Sequence, residues 1–359
     1  MEAYGGAERV TEEMARVFPD APVFAILGRA EVARRMGVAG RFSTLLPSRP
    51  GIVERYRALT PLYPALTAAV RLPEADVLLT SSYAFAMRLR TRNDAPQVCY
   101  CHTPLRFAWT VTDSYRDAMA GSGPLGPAFD AMAAWMRAGD HRSARRVTRF
   151  LTQSPYTVDQ IRRFYGREAT AIGAPVDCDR FRPRAESPGD YYLLVSRVYE
   201  PSKRSLVAVE AFASLGERLV VAGGGAGLAR LKAQAPTNVS FVGHVDDEQL
   251  VPLMQGCRAL IFPSRDAFGL TAVEAMACGR PVLALAEGGA LQTVVPGLSG
   301  DFFTAQTPVA IAEAVRSFEP DAYDRGRIRA HARQWDRPAF DAGLRAAVQA
   351  AAEASSVAS

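Results

Sequence analysis

The chain has 359 residues, 48% of them hydrophobic and 22% charged, which is enough apolar mass for two domains of ordinary size and too much for a disordered chain. Five scattered cysteines argue against a disulfide framework, and no leader-like stretch or long uncharged apolar run is evident, so a reduced, cytoplasmic protein without membrane spans is expected. The net charge of +5 is uneven: residues 1–175 hold 23 Arg and no Lys against 16 acidic residues, a balance suited to an anionic membrane surface, a phosphorylated acceptor or plain solvated arginine, while no nucleic-acid recognition motif accompanies it.

In chain order, Val10, Met14, Val17 and Phe18 recur at helical spacing and predict a first helix, entered through Gly5 and Gly6. Apolar runs at 23–27, 76–80, 97–102 and 149–152 read as strands with helical segments between them, and this alternation predicts a doubly wound parallel sheet. The third run leads into Cys99-Tyr100-Cys101-His102-Thr103-Pro104, followed by Arg106, Phe107 and Trp109. Cys99, Cys101 and His102 invite a metal reading, but no second ligand pair at zinc-like spacing appears, so no metal is expected. Residues 109–136 mix Gly121, Gly123, Pro124 and Gly126 with the aromatics Tyr115, Phe129 and Trp135, and read as a loop region. Arg142, Arg145, Arg146 and Arg149 then form a basic cluster, either a solvated helix face or a surface for lipid phosphate.

A helix at 155–165, a strand at 169–172 and a loop at 182–189 precede a fresh strand–helix series starting at 191–195. Ser196-Arg197 ends that strand, and Glu200-Pro201-Ser202-Lys203-Arg204 opens the next helix with one of the chain's two lysines. The run Val220-Val221-Ala222-Gly223-Gly224-Gly225-Ala226-Gly227 looks like a dinucleotide fingerprint, but weakly, since a glycine turn between strand and helix is common and no acidic residue ends a following strand at the required distance. A strand at 239–243 runs into His244. The pivotal stretch is 262–282: the strand at 259–262 stops at Pro263-Ser264, a polar loop carries Asp266, and Gly269 opens an Ala-rich helix that bears Glu274 and ends at Gly279-Arg280-Pro281. A helix start exposes unpaired N–H groups and the positive end of the macrodipole, so this one suits an anionic ligand, with Gly269 letting phosphate approach the backbone. A strand at 281–286, Glu287-Gly288-Gly289-Ala290 opening another helix, a strand at 300–303 and helical patterns at 308–318, 322–335 and 338–352 follow, ending in a frayed tail.

Asp266, seven residues including Phe268-Gly269, and then Glu274-Ala275-Met276-Ala277-Cys278-Gly279-Arg280-Pro281-Val282 resemble the Glu-x7-Glu signature of retaining GT-B glycosyltransferases of family 4. The resemblance runs from Gly5 to about Val348 and implies an α/β GT-B fold, two Rossmann-like doubly wound parallel-sheet domains facing a cleft. It implies an acceptor-binding domain over 1–175, a nucleotide-sugar-binding domain over 176–335, and a helix with tail over 336–359 crossing back to the N-terminal domain. In such enzymes the second carboxylate binds the ribose and the first reaches the transferred sugar, which gives those places to Glu274 and to Asp266, here one methylene shorter than the usual Glu. Backbone amides of Phe268, Gly269 and Leu270 would hold diphosphate and sugar hydroxyls, Arg197 and Lys203 would neutralise the diphosphate, and Gly243 and His244 lie where the base is held. The spacing is one residue longer than usual, so either Lys203 or Arg204 can face the phosphates.

Gly5 and Gly6 would present N–H groups to the donor diphosphate; in relatives this segment follows a first strand, but only four residues precede Gly5, so that strand is expected to be missing through a truncated or misassigned start. The segment from Tyr100 to Pro104 is similar to that of a mannosyltransferase-like subgroup in which the His lies beside the transferred sugar, which singles out His102 and favours GDP-mannose as donor. The implied function is retaining transfer of a hexose from a nucleoside diphosphate sugar to a lipid-linked saccharide or other glycan or natural-product acceptor. No resident cofactor is implied, and the protein would be cytoplasmic or peripheral on the inner face of the membrane. The alternatives are a non-catalytic glycosyltransferase-like partner protein and a UDP-sugar-dependent transferase or epimerase of the same fold.

Overall fold

The computed structural model describes residues 4–48, 51, 60–110, 112, 116, 125–184, 188–198, 203–225 and 227–356. The chain divides into two compact units, Met1–Pro175 with Pro338–Ser359, and Val176–Arg337.

Among the described residues of the N-terminal unit the strands fall into two parallel sheets. One pairs β1 (Val23–Ala25) with β2 (Phe42–Thr44); the other has the order β3 (Leu78–Ser82), β4 (Gln97–Cys101), β5 (Arg149–Thr152), β6 (Ala169–Ala171). β4 is buried along its whole length, as a strand covered on both faces should be, and the Tyr100 hydroxyl donates to the Gly173 carbonyl. The first helix, α1 (Gly6–Val17), buries Val10, Met14 and Val17 as their spacing predicts, and also buries Glu13, whose carboxylate accepts from Arg16 at 2.9 Å.

The loop expected over residues 109–136 is helical from Leu125 onward. Residues Leu125–Ala144 form a 20-residue helix, α2, whose buried face carries Phe129, Ala133, Met136, Asp140 and Ala144 at spacings of three and four. Gly126 and Pro127 fall in its first turn, where a proline costs no hydrogen bond. Tyr115, Gly121, Gly123 and Pro124 lie outside the described residues. Asp140 is fully buried, its Oδ2 accepting from the hydroxyl of Tyr165, the last residue of α3 (Pro155–Tyr165), at 2.7 Å and from the Trp109 indole at 3.1 Å, while Oδ1 has no hydrogen bond and Arg88 stands 3.7 Å from it. The last helix, α6 (Arg337–Ser356), belongs to this unit through Phe340, edge-on to Tyr100 at 5.8 Å, and through Arg345, which donates to the Val17 carbonyl at 3.0 Å.

The C-terminal unit is built on one six-stranded parallel sheet. Its order is β12 (Gly300–Phe303), β11 (Val282–Leu285), β10 (Leu260–Phe262), β7 (Tyr191–Val195), β8 (Arg218–Ala222), β9 (Val239–Gly243). Tyr192, Phe212, Leu219, Ile261 and Leu283 are among the side chains filling its core. The strand order reverses between β7 and β10, and in open sheets of this kind ligands bind outside the carboxyl ends of the strands at such a switch point. Two helices start there, α4 (Ser205–Phe212) after β7 and α5 (Leu270–Ala277) after β10. Downstream, the helix expected at 322–335 is divided: Asp324 caps a new start by accepting from the Arg327 N–H at 2.7 Å, so Arg325–Ala332 is a separate helix flanked by 3-10 turns. Among the described residues no helix is long and apolar enough to cross a membrane.

Candidate active site

The first wall of the switch point is the segment after β7. Its backbone runs beside the glycine turn that follows β8, with Ser196 N–H donating to Ala222 at 3.0 Å and Val198 N–H to Gly224 at 2.9 Å. A Cβ on Gly223 would sit 1.8 Å from the Ser196 carbonyl oxygen, and one on Gly225 2.4 Å from that of Val198; both glycines have φ in the region that side chains avoid. The run that resembles a dinucleotide fingerprint is therefore glycine because another strand end lies against it. Arg197 stands exposed in this segment. Gly243 (φ +77°) accepts from the Gly223 N–H at 2.6 Å, and the exposed His244 follows it with its Cβ beside Gly224.

The second wall is the loop from Pro263 to the start of α5. Gly269, at φ +89°, caps the helix, and its carbonyl accepts from Ala272 at 3.0 Å and Val273 at 3.3 Å, so the Leu270 and Thr271 amides precede the first of these bonds. Phe268 is buried edge-on against Trp335 at 6.0 Å, which leaves its backbone, not its ring, for a ligand. Glu274 is 2% exposed, one turn into α5. Gly288 and Gly289 brace the loop. The Gly289 N–H donates to the Asp266 carbonyl at 2.8 Å, and a Cβ there would lie 2.4 Å from the Phe268 Cα.

The two walls are joined by charge. The Lys203 ammonium donates to both carboxylate oxygens of Asp266, at 2.8 and 2.7 Å. Arg204, the other cation the spacing left open, takes a left-handed conformation at the start of α4 and reaches Gln306 at 3.4 Å, which in turn donates to the Pro263 carbonyl at 2.8 Å. Glu200, Pro201 and Ser202 lie outside the described residues.

In the N-terminal unit, Gly5 precedes α1 with extended backbone and Gly6 is its first residue, so the pair forms a helix start rather than a tight turn. His102 follows β4 directly and is 7% exposed. Its N–H donates to Ser82 at 2.8 Å, its carbonyl accepts from Gln153 at 2.9 Å, and its ring lies edge-on to Tyr100 at 5.1 Å. The ring nitrogen Nε2 is 2.9 Å from the Ser81 hydroxyl, which is 2.8 Å from that of Thr11 on α1. Burial pushes the imidazole pKa down to about 4, so His102 is neutral at neutral pH. Cys99 and Cys101 are fully buried thiols, the former pushed up to about 12 by burial, and no metal-binding cluster of His, Cys, Asp or Glu occurs among the described residues.

Three features escape sequence reasoning. Ser81 and Thr11 act through contacts across 21 and 70 positions, and their one local sign is the hydroxyl run Thr80-Ser81-Ser82 at a strand's carboxyl end. The bracing by Gly288 and Gly289 was signalled only by adjacent glycines after a strand.

The sequence model described as Glycosyltransferase Family 4 matches residues 4–180, and that described as Glycosyl transferases group 1 matches residues 179–335. Glycogen synthase of Mycobacterium tuberculosis is 29% identical over 272 residues, covering 71% of this chain and 62% of the relative. D-inositol 3-phosphate glycosyltransferase 2 of Catenulispora acidiphila is 32% identical over 215 residues, 49% of each chain. The chain thus matches about half to three fifths of these relatives' length. Among solved structures, HepE of Anabaena in complex with UDP and glucose aligns over 97% of both chains with a TM-score of 0.71 at 16% identity. Sucrose-phosphate synthase from Thermosynechococcus elongatus aligns over 85% of this chain and 80% of that one, with a TM-score of 0.65 at 20% identity.

Proposed function

Because this chain belongs to the GT-B glycosyltransferases, its two matched domains together running from residue 4 to residue 335, we propose that it transfers a hexose from a nucleoside diphosphate sugar to a glycan, lipid-linked or small-molecule acceptor, with retention at the anomeric carbon. The observation that carries the reading is the Lys203–Asp266 pair beside the start of α5, at the switch point of the C-terminal sheet. A diphosphate carries more charge than a carboxylate and would replace Asp266 as the partner of Lys203, and the freed carboxylate could then accept from a sugar hydroxyl. Arg197 and the Leu270 and Thr271 amides would share the charge that builds on the leaving diphosphate, fixed donors that need no reorganisation during the reaction.

Glu274 is the proposed ribose ligand, backbone groups at Gly243 and His244 the proposed base site, and Gly5 and Gly6 further N–H donors to the diphosphate. His102 is the proposed partner of a hydroxyl on the transferred sugar. Front-face substitution is the proposed course, no carboxylate being clearly placed as a nucleophile: the anomeric C–O bond to the diphosphate breaks, the acceptor oxygen bonds on the same face, and the departing phosphate oxygen takes the acceptor's proton. The scheme needs no metal or resident cofactor.

The donor sugar we favour is mannose from GDP-mannose, on the similarity of the segment Tyr100 to Pro104. A UDP-sugar donor is the second reading, favoured by the UDP bound to HepE. Thermal stabilisation by GDP-mannose, GDP, UDP-glucose, UDP-N-acetylglucosamine and NAD separates them. At a hundredfold excess over Kd the bound nucleotide class adds about 3 kcal/mol. No shift with any sugar nucleotide would reject the reading in favour of a non-catalytic partner protein. The arginine-rich N-terminal unit is proposed to meet anionic lipid or acceptor phosphate.

A further inference from the structure

We infer that the outward face of α2 lies along an anionic membrane surface, with the Trp135 ring among the lipids and Arg142, Arg145, Arg146 and Arg149 on their headgroup phosphates. This rests on, and narrows, the proposed meeting of the arginine-rich unit with anionic lipid or acceptor phosphate. Phe129, Ala133 and Met136 hold one side of the helix in the unit. On the opposite side Pro127, Ala128, Ala131, Ala134, Trp135 and Ala138 recur at spacings of three and four, and all six are exposed. They fall within an arc of about 120°, where a helix that faces water ordinarily carries charge. Here the charges of the stretch lie off that arc: Asp130 pairs with Arg116 at 3.3 Å, and Arg137 donates to the Ala108 carbonyl at 3.0 Å. Trp135 stands in the middle, 48% exposed. An indole, apolar in its body with one N–H at the edge, suits the boundary between headgroups and acyl chains.

The same face then turns basic. Arg142 continues it, and Arg145, Arg146 and Arg149 follow beyond the last turn, all exposed. Arg142 donates back to the Ala138 carbonyl at 3.3 Å, and none of the four has a carboxylate partner among the described residues. Exposed arginines elsewhere do: Arg162 meets Glu168 at 3.0 Å, Arg180 meets Asp247 at 3.0 Å and Arg218 meets Asp190 at 2.7 Å. Uncompensated guanidinium groups side by side repel one another, and phosphate oxygens relieve that repulsion through the paired N–H donors of each fork. An apolar stripe bearing an indole and continued by unpaired cations matches the two layers of an anionic lipid surface.

Flotation of the full chain with vesicles of phosphatidylcholine, alone or with phosphatidylglycerol added, tests the inference. Binding is expected to the anionic vesicles only and to weaken as salt is raised. Arg142→Gln together with Arg145→Gln should lower vesicle affinity about thirtyfold, and Trp135→Ala about tenfold. Insertion is read separately with lipids brominated along the acyl chains, which quench an indole they touch. The chain has three tryptophans, and Trp109 and Trp335 are held inside by Asp140 and Phe268, so quenching should occur in wild type and vanish in Trp135→Phe, whose unfolding temperature checks the fold. Binding to neither vesicle, equal binding to both, binding without quenching, or quenching that persists in Trp135→Phe overturns the inference. So does a dimer seen by sedimentation that Trp135→Ala breaks in a chain that ignores vesicles, since a second copy would then cover the face. Flotation needs no turnover: vesicle binding by a chain that transfers no sugar would defeat the proposed activity alone, and transfer to a soluble acceptor by a chain that ignores vesicles would defeat this inference alone.

Discussion

Replacing His102 by glutamine should remove a pH dependence from the stability of the N-terminal unit. In the folded protein burial drives the imidazole from its ordinary value near 6.5 down to about 4. Above about pH 6.5 the ring is neutral in folded and unfolded chain alike and contributes no difference. Between about pH 6.5 and pH 4 the unfolded chain takes a proton that the folded site refuses, so stability is lost as pH falls. The loss reaches about 2 kcal/mol near pH 5 and levels at about 3 kcal/mol below pH 4, at about 1.4 kcal/mol per tenfold change in proton affinity. Hydrogen exchange of the β4 amides, read by mass spectrometry, reports on this unit by itself. Wild type and His102→Gln are compared at about pH 7.5 and about pH 5, which cancels the titration of every other group, and wild type should lose about 2 kcal/mol more. Equal losses in the two proteins would mean that the ring is protonated in the folded state, and the neutral imidazole proposed to meet the sugar hydroxyl would fall.

Gly289→Ala places a methyl 2.4 Å from the Phe268 Cα, and the loop above must shift; a loss of about 1–3 kcal/mol in the C-terminal unit is expected together with weaker nucleotide-sugar binding, by thermal unfolding and titration, and unchanged values for both would dismiss the brace. Lys203→Ala should cut turnover by about a hundredfold while changing stability by less than about 1 kcal/mol, because its ion pair is partly exposed; parallel losses of activity and stability would argue for a structural pair only. Arg197→Ala should behave likewise in steady-state assays. Asp140→Ala strips the acceptor from Tyr165 and Trp109 and leaves Arg88 without its buried carboxylate, for which denaturant titration should show about 3 kcal/mol or more; a change under about 1 kcal/mol would show that water fills the gap at no cost.

The parts of the chain legible in the sequence share one property: their physics is local. The strand–loop–helix at 259–279 announces itself through an apolar run, a proline stop and a glycine start, and the structure has β10, the loop and α5 there. Other features depend on distant partners. The buried stripe of α2 is interrupted by Asp140, a residue that belongs in a core only because Tyr165 and Trp109 meet it, so turn formers upstream dominated the reading. β2 has three residues and no alternating pattern; its pairing with β1 defines it. The Gly223 turn was recognised, but the reason for it, the backbone of Ser196 lying against it, exists only in three dimensions. Likewise spacing left Lys203 and Arg204 equivalent, whereas in three dimensions Lys203 pairs with Asp266 and Arg204, in a left-handed turn, reaches Gln306.

The helix α6 has a consequence for how the protein is made. Its residues Phe340 and Leu344 are buried within a unit whose other members all precede residue 176, whereas the C-terminal unit is continuous from Val176 to Arg337. A ribosome delivers the chain from the N-terminus at about 5–20 residues per second, so the second unit is complete in sequence while the first still waits for its last helix. The later-encoded unit can therefore finish before the first, and Tyr100 and the Val17 carbonyl lack their contacts with α6 in the nascent chain until that helix emerges.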